Sequence, residues 1–312
     1  MAVFEIAILA RITWNLHSLN NEGTVGNVTE PRTVVLASGK KTDGISGEML
    51  KHIHAYNIWL LQEDKRQFCE ACKKFHPQKA DMNPLIQKGN KPEKAMKTAL
   101  SSCILCDLHG FLVQRPAVAR PSTIEFGWAL GLPDRIHREI HIHARHSIVG
   151  RSKEEVKARQ EEKETQERQM TAQMIYHRPS RSGTYAIVSV FQPWRIGLNE
   201  VNYSYAIDND ERKIRYQLTL NAYKATLMRT DGAMTSTRLP HTEAIEGVIV
   251  VSETNFPVPA ISPIGDDYIT QLEDFVKKQN GFSLQKFSNL VELCAVLDEL
   301  AEKDIYKVTL SA

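Results

Sequence analysis

Hydrophobic and polar positions alternate over Ala10–His17, where Ala10, Ile12, Trp14 and Leu16 interleave with Arg11, Thr13, Asn15 and His17. That period of two predicts a half-buried strand. The stretch beyond it is polar, carries Gly23, Gly26, Gly39 and Gly44, and is too long for a simple turn, a length at which loops commonly serve function. Ser46 is positioned as the N-cap of a helix whose inward face is Met49, Ile53, Tyr56 and Leu60. A second strand is predicted where Ile140, Ile142, Ala144 and Ile148 oppose His141, His143, Arg145 and Ser147. A third runs from Tyr185 to Trp194, led in by an Arg-rich turn, HRPSRSG. Asp210 to Thr230 reads as a helix with Ile214, Leu218, Ala222 and Ala225 on one side, and Ile245 to Val251 as a fourth strand. Two amphipathic helices are predicted to close the chain, the second with Leu284, Phe287, Leu290, Val291, Cys294, Leu297 and Leu300 on its apolar face, Cys294 as a small core residue.

The predicted order is strand, helix, strand, strand, helix, strand, with long insertions before and after the second strand. It is an α+β, ferredoxin-like order, shared by RNA recognition motifs. RSGTYAIVSVF has the glycine and Tyr185 of those domains but not their paired aromatic platform. Residues 65–97 carry nine Lys/Arg against three Asp/Glu with little apolar periodicity, which predicts an insertion too polar to build its own core. From Arg151 to Arg168 the chain is highly charged and free of aromatic residues, as a projecting arm would be.

Composition narrows the function classes. With 42% hydrophobic and 24% charged residues in 312, the chain is an ordinary globular protein of one elaborated domain or two. Its 39 Lys+Arg nearly balance 37 Asp+Glu, so any nucleic-acid role must come from local patches. Five cysteines are too few and too odd in number for a secreted disulfide framework, which places the expected compartment in a reducing cytoplasm. The apolar N-terminus lacks a basic n-region and a small-residue cleavage site, and no run approaches the ~20 apolar residues of a membrane span, so no membrane partner is expected.

The clearest chemical signal is Cys69-x-x-Cys72 followed, thirty residues on, by Cys103-x-x-Cys106. Two such knuckles can wrap one tetrahedral Zn2+ in four thiolates, leaving no open position for catalysis. The alternatives are four reduced cysteines, or a site using His76 or His109 in place of one of them. His141 and His143 share a strand face, as a catalytic metal pair can, but no third ligand or carboxylate base has recognisable spacing nearby; the other reading is a polar sheet face on which imidazoles and Arg145 meet nucleotides. Lys40, Lys41, Thr42, Asp43, Gly44, Ile45, Ser46 and Gly47 form a basic, glycine-bearing loop ending at a helix start, with Lys51 and His52 one turn inside. Free backbone N–H groups and cations make a phosphate cradle there, although a solvated loop fits the same spacing. Arg178 to Gly183 and Thr235 to Arg238 are two further phosphate-binding candidates, because the guanidinium fork donates two parallel hydrogen bonds.

Four blocks, NNEGTVGNVTEPRTVVLASGKKTDGISGEMLKHIHAY, MIYHRPSRSGTYAIV, GAMTSTRLPH and VSETNFPVPAISPIGDDY, together resemble the DevR-type backbone subunit of type I CRISPR Cascade complexes, the Cas seven family of the RAMP superfamily. They spread from position 20 to 268. The resemblance implies a modified RNA recognition motif as the palm of a hand-shaped subunit, with inserted fingers and a thumb. It divides the chain into palm at 1–62, 111–146 and 177–265, fingers at 63–110, a thumb-like arm at 147–176 and closing helices at 266–312. Many copies would stack along one guide crRNA and hold it for pairing with target DNA, beside other Cascade subunits in antiviral defence. The family's Ser-x-x-x-Leu-Lys falls on Ser46, Leu50 and Lys51, facing guide phosphates, and its glycine-rich late loop on Gly232 to Arg238. The implied RNA contacts are Asn20, Lys40, Lys41 and Thr42 before the helix and Ser46, Gly47, Lys51 and His52 within it. Arg145, Arg178 and Arg181 join them from the strands, and Ser236 and Arg238 from the late loop. Asp43 sits where type III relatives keep an RNA-cutting aspartate, but type I relatives do not cut, so no catalytic residue is expected. A metal-dependent nuclease and a regulatory RNA-binding protein acting alone are the competing functions.

Overall fold

A computed structural model describes residues 2–26, 28–86, 90–145, 174–232 and 234–309. The chain runs through β1 (Glu5–His17), β2 (Asn21–Val25), β3 (Val28–Pro31), β4 (Thr33–Val35), β5 (Lys41–Ile45) and α1 (Gly47–Leu61). The inserted segment holds α2 (Glu70–Lys73), α3 (Pro92–Ser102) and α4 (Ile104–His109), and leads through β6 (Phe111–Val113), β7 (Val118–Arg120) and β8 (Ile124–Phe126) into β9 (Ala129–Arg145). After β10 (Met174–Phe191) come β11 (Leu198–Asn199), β12 (Ser204–Tyr205), α5 (Asn209–Met228), β13 (His241–Ser252), α6 (Tyr268–Lys278), β14 (Phe282–Phe287) and α7 (Leu290–Glu302).

The main sheet runs β14-β13-β1-β10-β9-β5-β4. Each of its four long strands β13, β1, β10 and β9 is antiparallel to its neighbour, with Ile8 opposite both Ser189 and Ile249, and Arg181 opposite Arg138. One face is covered by α1, α5 and α7, and the core there holds Ile6, Ile8, Ile12, Leu50, Ile58, Tyr216, Leu220 and Leu297. The other face of β1 is covered as well: Ala7 and Leu9 pack with Val248, Val250, Tyr268 and Leu272 of β13 and α6. The first strand is therefore buried on both faces rather than one. Even Arg11 is 7% exposed, its guanidinium donating to the carbonyls of Pro263 and Gly265 and pairing with Asp266 at 2.8 Å.

Several expectations are corrected. The inward face of α1 is Leu50, Ile53, His54, Ala55 and Ile58, whereas Tyr56 and Leu60 are exposed. Along α5 the buried side includes Arg215, Tyr216, Thr219, Leu220 and Tyr223, and Ile214 is exposed, because polar side chains with buried partners displaced the apolar stripe. HRPSRSG is not a turn; Arg178 to Gly183 lie inside β10, paired with His141 to Ile136 of β9. Leu284 and Phe287 lie on β14, so a strand precedes the last helix, and Cys294 is half-buried. The charged insertion does not lack a core either: Phe68, Ala71, Ala80, Ala95 and Met96 join the main one. Of the arm expected at 147–176, Met174 begins β10 and residues 147–173 lie outside the described residues, as does Ile148.

Candidate nucleic-acid interface and cysteine cluster

The junction of β5 and α1 is built by a buried polar network. Asp43 is fully buried, and its Oδ2 accepts from Arg181 Nη1 at 2.9 Å and from the Tyr185 hydroxyl at 2.7 Å, while Arg138 Nη2 stands 3.5 Å from Oδ1. Because that hydroxyl donates to Asp43, it accepts from His17 Nε2–H at 2.9 Å, and His17 Nδ1 accepts from the Leu19 amide. Burial, then the charge on Arg181, pushes the His17 pKa down to about 3. Burial, then the Asp43 charge, pushes Tyr185 well up. The network fixes three chain segments at once: Arg181 Nη2 donates to the Asn20 carbonyl at 2.9 Å, and the Asn20 side chain accepts from the Ser46 amide at 2.9 Å.

Ser46 caps α1, its hydroxyl accepting from the Met49 amide at 3.3 Å. At Gly47 an added Cβ would lie 2.2 Å from the Phe126 carbonyl, so the helix start is seated against the β8 turn as only glycine permits. The late loop reaches the segment after β1, where Gly232 packs on the Leu19 backbone, with 2.5 Å from a built Cβ to the Leu19 carbonyl. Ser18 and Asn21 donate to Met234 Sδ in the same loop.

Of the sequence-selected residues, Asn20, Thr42, Ser46 and Arg181 have their polar groups in this scaffold. Thr42 donates to the Gly131 carbonyl at 2.8 Å, and Arg181 is 1% exposed. Arg181 is thus a buried strut, not a solvent-facing phosphate fork, because the buried carboxylate requires its charge. Lys41, His52 and Ser236 are exposed, and exposed Lys40 pairs with Asp134 at 3.4 Å. Lys51 is half-buried, with its pKa lowered by burial and then by the Lys79 charge, and makes no hydrogen bond or ion pair with a described residue. Arg178 and Arg238 are half-buried and engaged by other groups. Arg145 ends β9, paired with Met174. His141 is exposed, 3.5 Å from Glu139.

The four cysteines are buried and converge, with every pair of sulfurs within 4.8 Å. Cys69 and Cys103 each N-cap a short helix, which brings Cys72 and Cys106, one turn on, to the same side. The Cys69–Cys106 and Cys72–Cys106 sulfur separations are 3.9 and 3.8 Å. A tetrahedral ion with metal–sulfur bonds of about 2.3 Å needs sulfurs about 3.8 Å apart, so this donor set fits a metal. The neighbouring sulfurs of Cys103, Cys69 and Cys72, then burial, push the Cys106 thiol up, while hydrogen bonds from Cys103 and Cys106 push Cys69 down. Four thiols this close do not all ionise without a cation. His76 and His109 are not in the cluster: His109 Nε2 lies 3.0 Å from His54 Nδ1, and His54 Nε2 lies 3.3 Å from the Thr219 carbonyl.

Sequence reasoning missed Asp107 and His54, and the buried pairings of Tyr185, His17 and His109. Asp107 is fully buried and accepts from Arg120 at 2.7 Å, Arg215 at 2.8 Å and the Gly197 amide at 3.0 Å. Each is an isolated polar residue whose partner is distant in sequence, so no spacing announces it.

The solved structures share this fold. One, titled "CRISPR RNA-guided surveillance complex, pre-nicking", superposes with a TM-score of 0.57 at 10% identity, covering 95% of this chain and 99% of that one. Another, titled "CRISPR RNA-guided surveillance complex", gives 0.52 at 11%, covering 95% and 98%. No curated protein matches the sequence. The family described as "CRISPR-associated negative auto-regulator DevR/Csa2" matches residues 8–273, most of the chain, and it is to this family that the chain belongs.

Proposed function

We propose that this chain is a non-catalytic backbone subunit of a type I Cascade complex, gripping guide crRNA by its phosphates and leaving base edges free to pair with target DNA. The observation that carries it is the convergence of three segments far apart in sequence, the Asn20 turn, the Gly232–Arg238 loop and the β5–α1 junction that leads into α1 and Lys51, a cation with no ion pair among the described residues. Lys40, Lys41 and His52 extend that patch, with Arg145, Arg178 and Arg238 as further contacts. The titles of the two structural neighbours and their near full-length match support the reading. The order β13-β1-β10-β9 supports a ferredoxin-like palm, with fingers at 63–110, a thumb-like arm at 147–176 and copies of the chain as partners. The cysteine cluster is read as a structural Zn2+ site. A nuclease centred on Asp43 is disfavoured, since its carboxylate is buried under Arg181 and Tyr185 and offers no face to a metal or a ribose.

The test is the RNA that co-purifies with the protein in its complex. One short homogeneous species held by several copies is expected; heterogeneous RNA on a monomer would favour the regulatory reading, and metal-dependent turnover the hydrolytic one. Lys41→Ala and Lys51→Ala should each weaken binding equally for every sequence, lowering the salt slope by about 0.7. A change in sequence preference would show that these lysines read bases.

A further inference from the structure

Between α1 and the cysteine-bearing segment lies a cleft of about 620 Å³, which Lys51 and His52 of the proposed phosphate grip help to line. Lys51 enters it from α1, and Lys79 from the opposite wall, its ammonium held on the carbonyls of His109 and Gly110 at 3.0 and 2.9 Å. The two cations repel each other, which is part of what lowers the Lys51 pKa, and the opposing acids are Glu48 at the rim and the nearby Glu125. The remaining wall is apolar and aromatic: Phe75 and Leu105 line it, and the His52 ring meets Phe75 edge-on with centroids 5.1 Å apart. Two half-buried ammoniums facing one open space favour an anion between them, and an aromatic wall beside them favours a planar or sugar-like body attached to that anion.

The far wall is also strained. Phe75 and Lys79 are two of the four described non-glycine residues with left-handed backbone, at φ of 53° and 46°. Such strain persists where the surroundings over-determine it, and it concentrates at ligand sites. At Phe75 the surroundings are α2, which carries Cys72: the Phe75 amide donates to the Cys72 carbonyl at 3.0 Å and the His76 amide to the Ala71 carbonyl at 2.8 Å.

We propose that this cleft takes one phosphate-bearing nucleotide of the bound strand, with Lys51 and Lys79 on the phosphate and His52 and Phe75 against the base or ribose. Its far wall is held in register by the metal-loaded cysteine cluster. The inference rests on the RNA-binding reading and adds a nucleotide pocket to it, so that metal occupancy and RNA affinity are coupled.

The test uses the full chain and a fluorescein-labelled oligouridylate, read by anisotropy. His52→Ala and Lys79→Gln are each expected to weaken binding about fivefold or more, the lower end of what one base stack is worth, and Lys79→Arg to restore it. Chelation should weaken the wild type by the same factor as the combined substitution Cys72→Ser and Cys106→Ser, and leave that double variant unchanged. Lys79→Gln removes a cap from α4, so the independent measurement is photocrosslinking of 4-thiouridine RNA to wild-type protein, with crosslinks expected in the peptide around Phe75. Wild-type affinity in His52→Ala with crosslinks confined to Lys40–Lys41 and the Gly232–Arg238 loop would overturn the pocket and leave the RNA-binding reading standing. No RNA binding by the wild type would overturn the reading itself. Unchanged affinity after chelation would overturn the coupling.

Discussion

Replacing Arg181 by alanine separates a structural strut from a phosphate contact. In the folded chain the guanidinium is 1% exposed and gives two hydrogen bonds of 2.9 Å, to Asp43 and to the Asn20 carbonyl. Removing it leaves the fully buried Asp43 carboxylate with the Tyr185 hydroxyl and with Arg138 at 3.5 Å, a weaker and partly exposed partner. Breaking a buried pair typically costs about 3–5 kcal/mol, and with Arg138 remaining nearby the expected loss is about 3 kcal/mol. With a urea slope of about 3 kcal/mol/M, the midpoint should fall by about 1 M. Arg181→Met combined with Asp43→Asn should recover most of the loss, because no unpaired charge then stays buried. The assay is equilibrium urea unfolding beside RNA binding over a salt series. A variant with an unchanged midpoint but a salt slope lower by about 0.7 would refute the strut and return Arg181 to the RNA-facing surface.

Metal analysis of protein purified without chelator should find one zinc per chain, and Cys72→Ser with Cys106→Ser should abolish it; absence of stoichiometric metal in the wild type would reject the site. Because the cysteine segment shares the main core, this double variant should lower the thermal midpoint of the whole protein rather than melt an isolated module, which calorimetry distinguishes. Stability should also fall with acid. His17 and His54 are held neutral with pKa values near 3, chiefly by burial, below the unfolded value of 6.5, so the unfolded chain binds more protons and stability is lost as pH drops below about 6.5 towards 3. Between pH 7 and 5.5 each should cost about 1.2 kcal/mol, and a urea midpoint that does not move over that range would show that these imidazoles are hydrated.

The presence of β1, β13 and both central helices is legible because apolar runs mark them, although not which helix face turns inward, and the cysteine cluster is legible because chelation demands a short local spacing. What stays hidden depends on partners distant in sequence. Nothing in HRPSRSG tells a turn from a strand until β9 is laid beside it, with Pro179 opposite Ile140 and Gly183 opposite Ile136. Tyr56 and Leu60 look like core on a helical wheel, yet His54 is the inward residue because His109 and the Thr219 carbonyl satisfy its nitrogens. Arg181 has the composition of a phosphate ligand and the environment of a core residue, and only the position of Asp43 decides between them.

The near balance of 39 basic and 37 acidic residues is a poor guide to the surface that nucleic acid meets. Among the described residues, Arg11, Arg120, Arg181, Arg195, Arg212 and Arg215 are buried, whereas only Glu5, Asp43 and Asp107 are buried acids. Among the described residues, burial therefore removes more positive than negative charge from the surface. If the chain grips RNA as proposed, it exerts little long-range pull, and its grip comes from a few local cations such as Lys40, Lys41 and Lys51. On the proposed reading, affinity then has to be assembled by repeating that small grip along one strand. Each added copy binds at the effective concentration set by its neighbour, and a weak, sequence-blind contact becomes a stable filament without any copy being strongly basic.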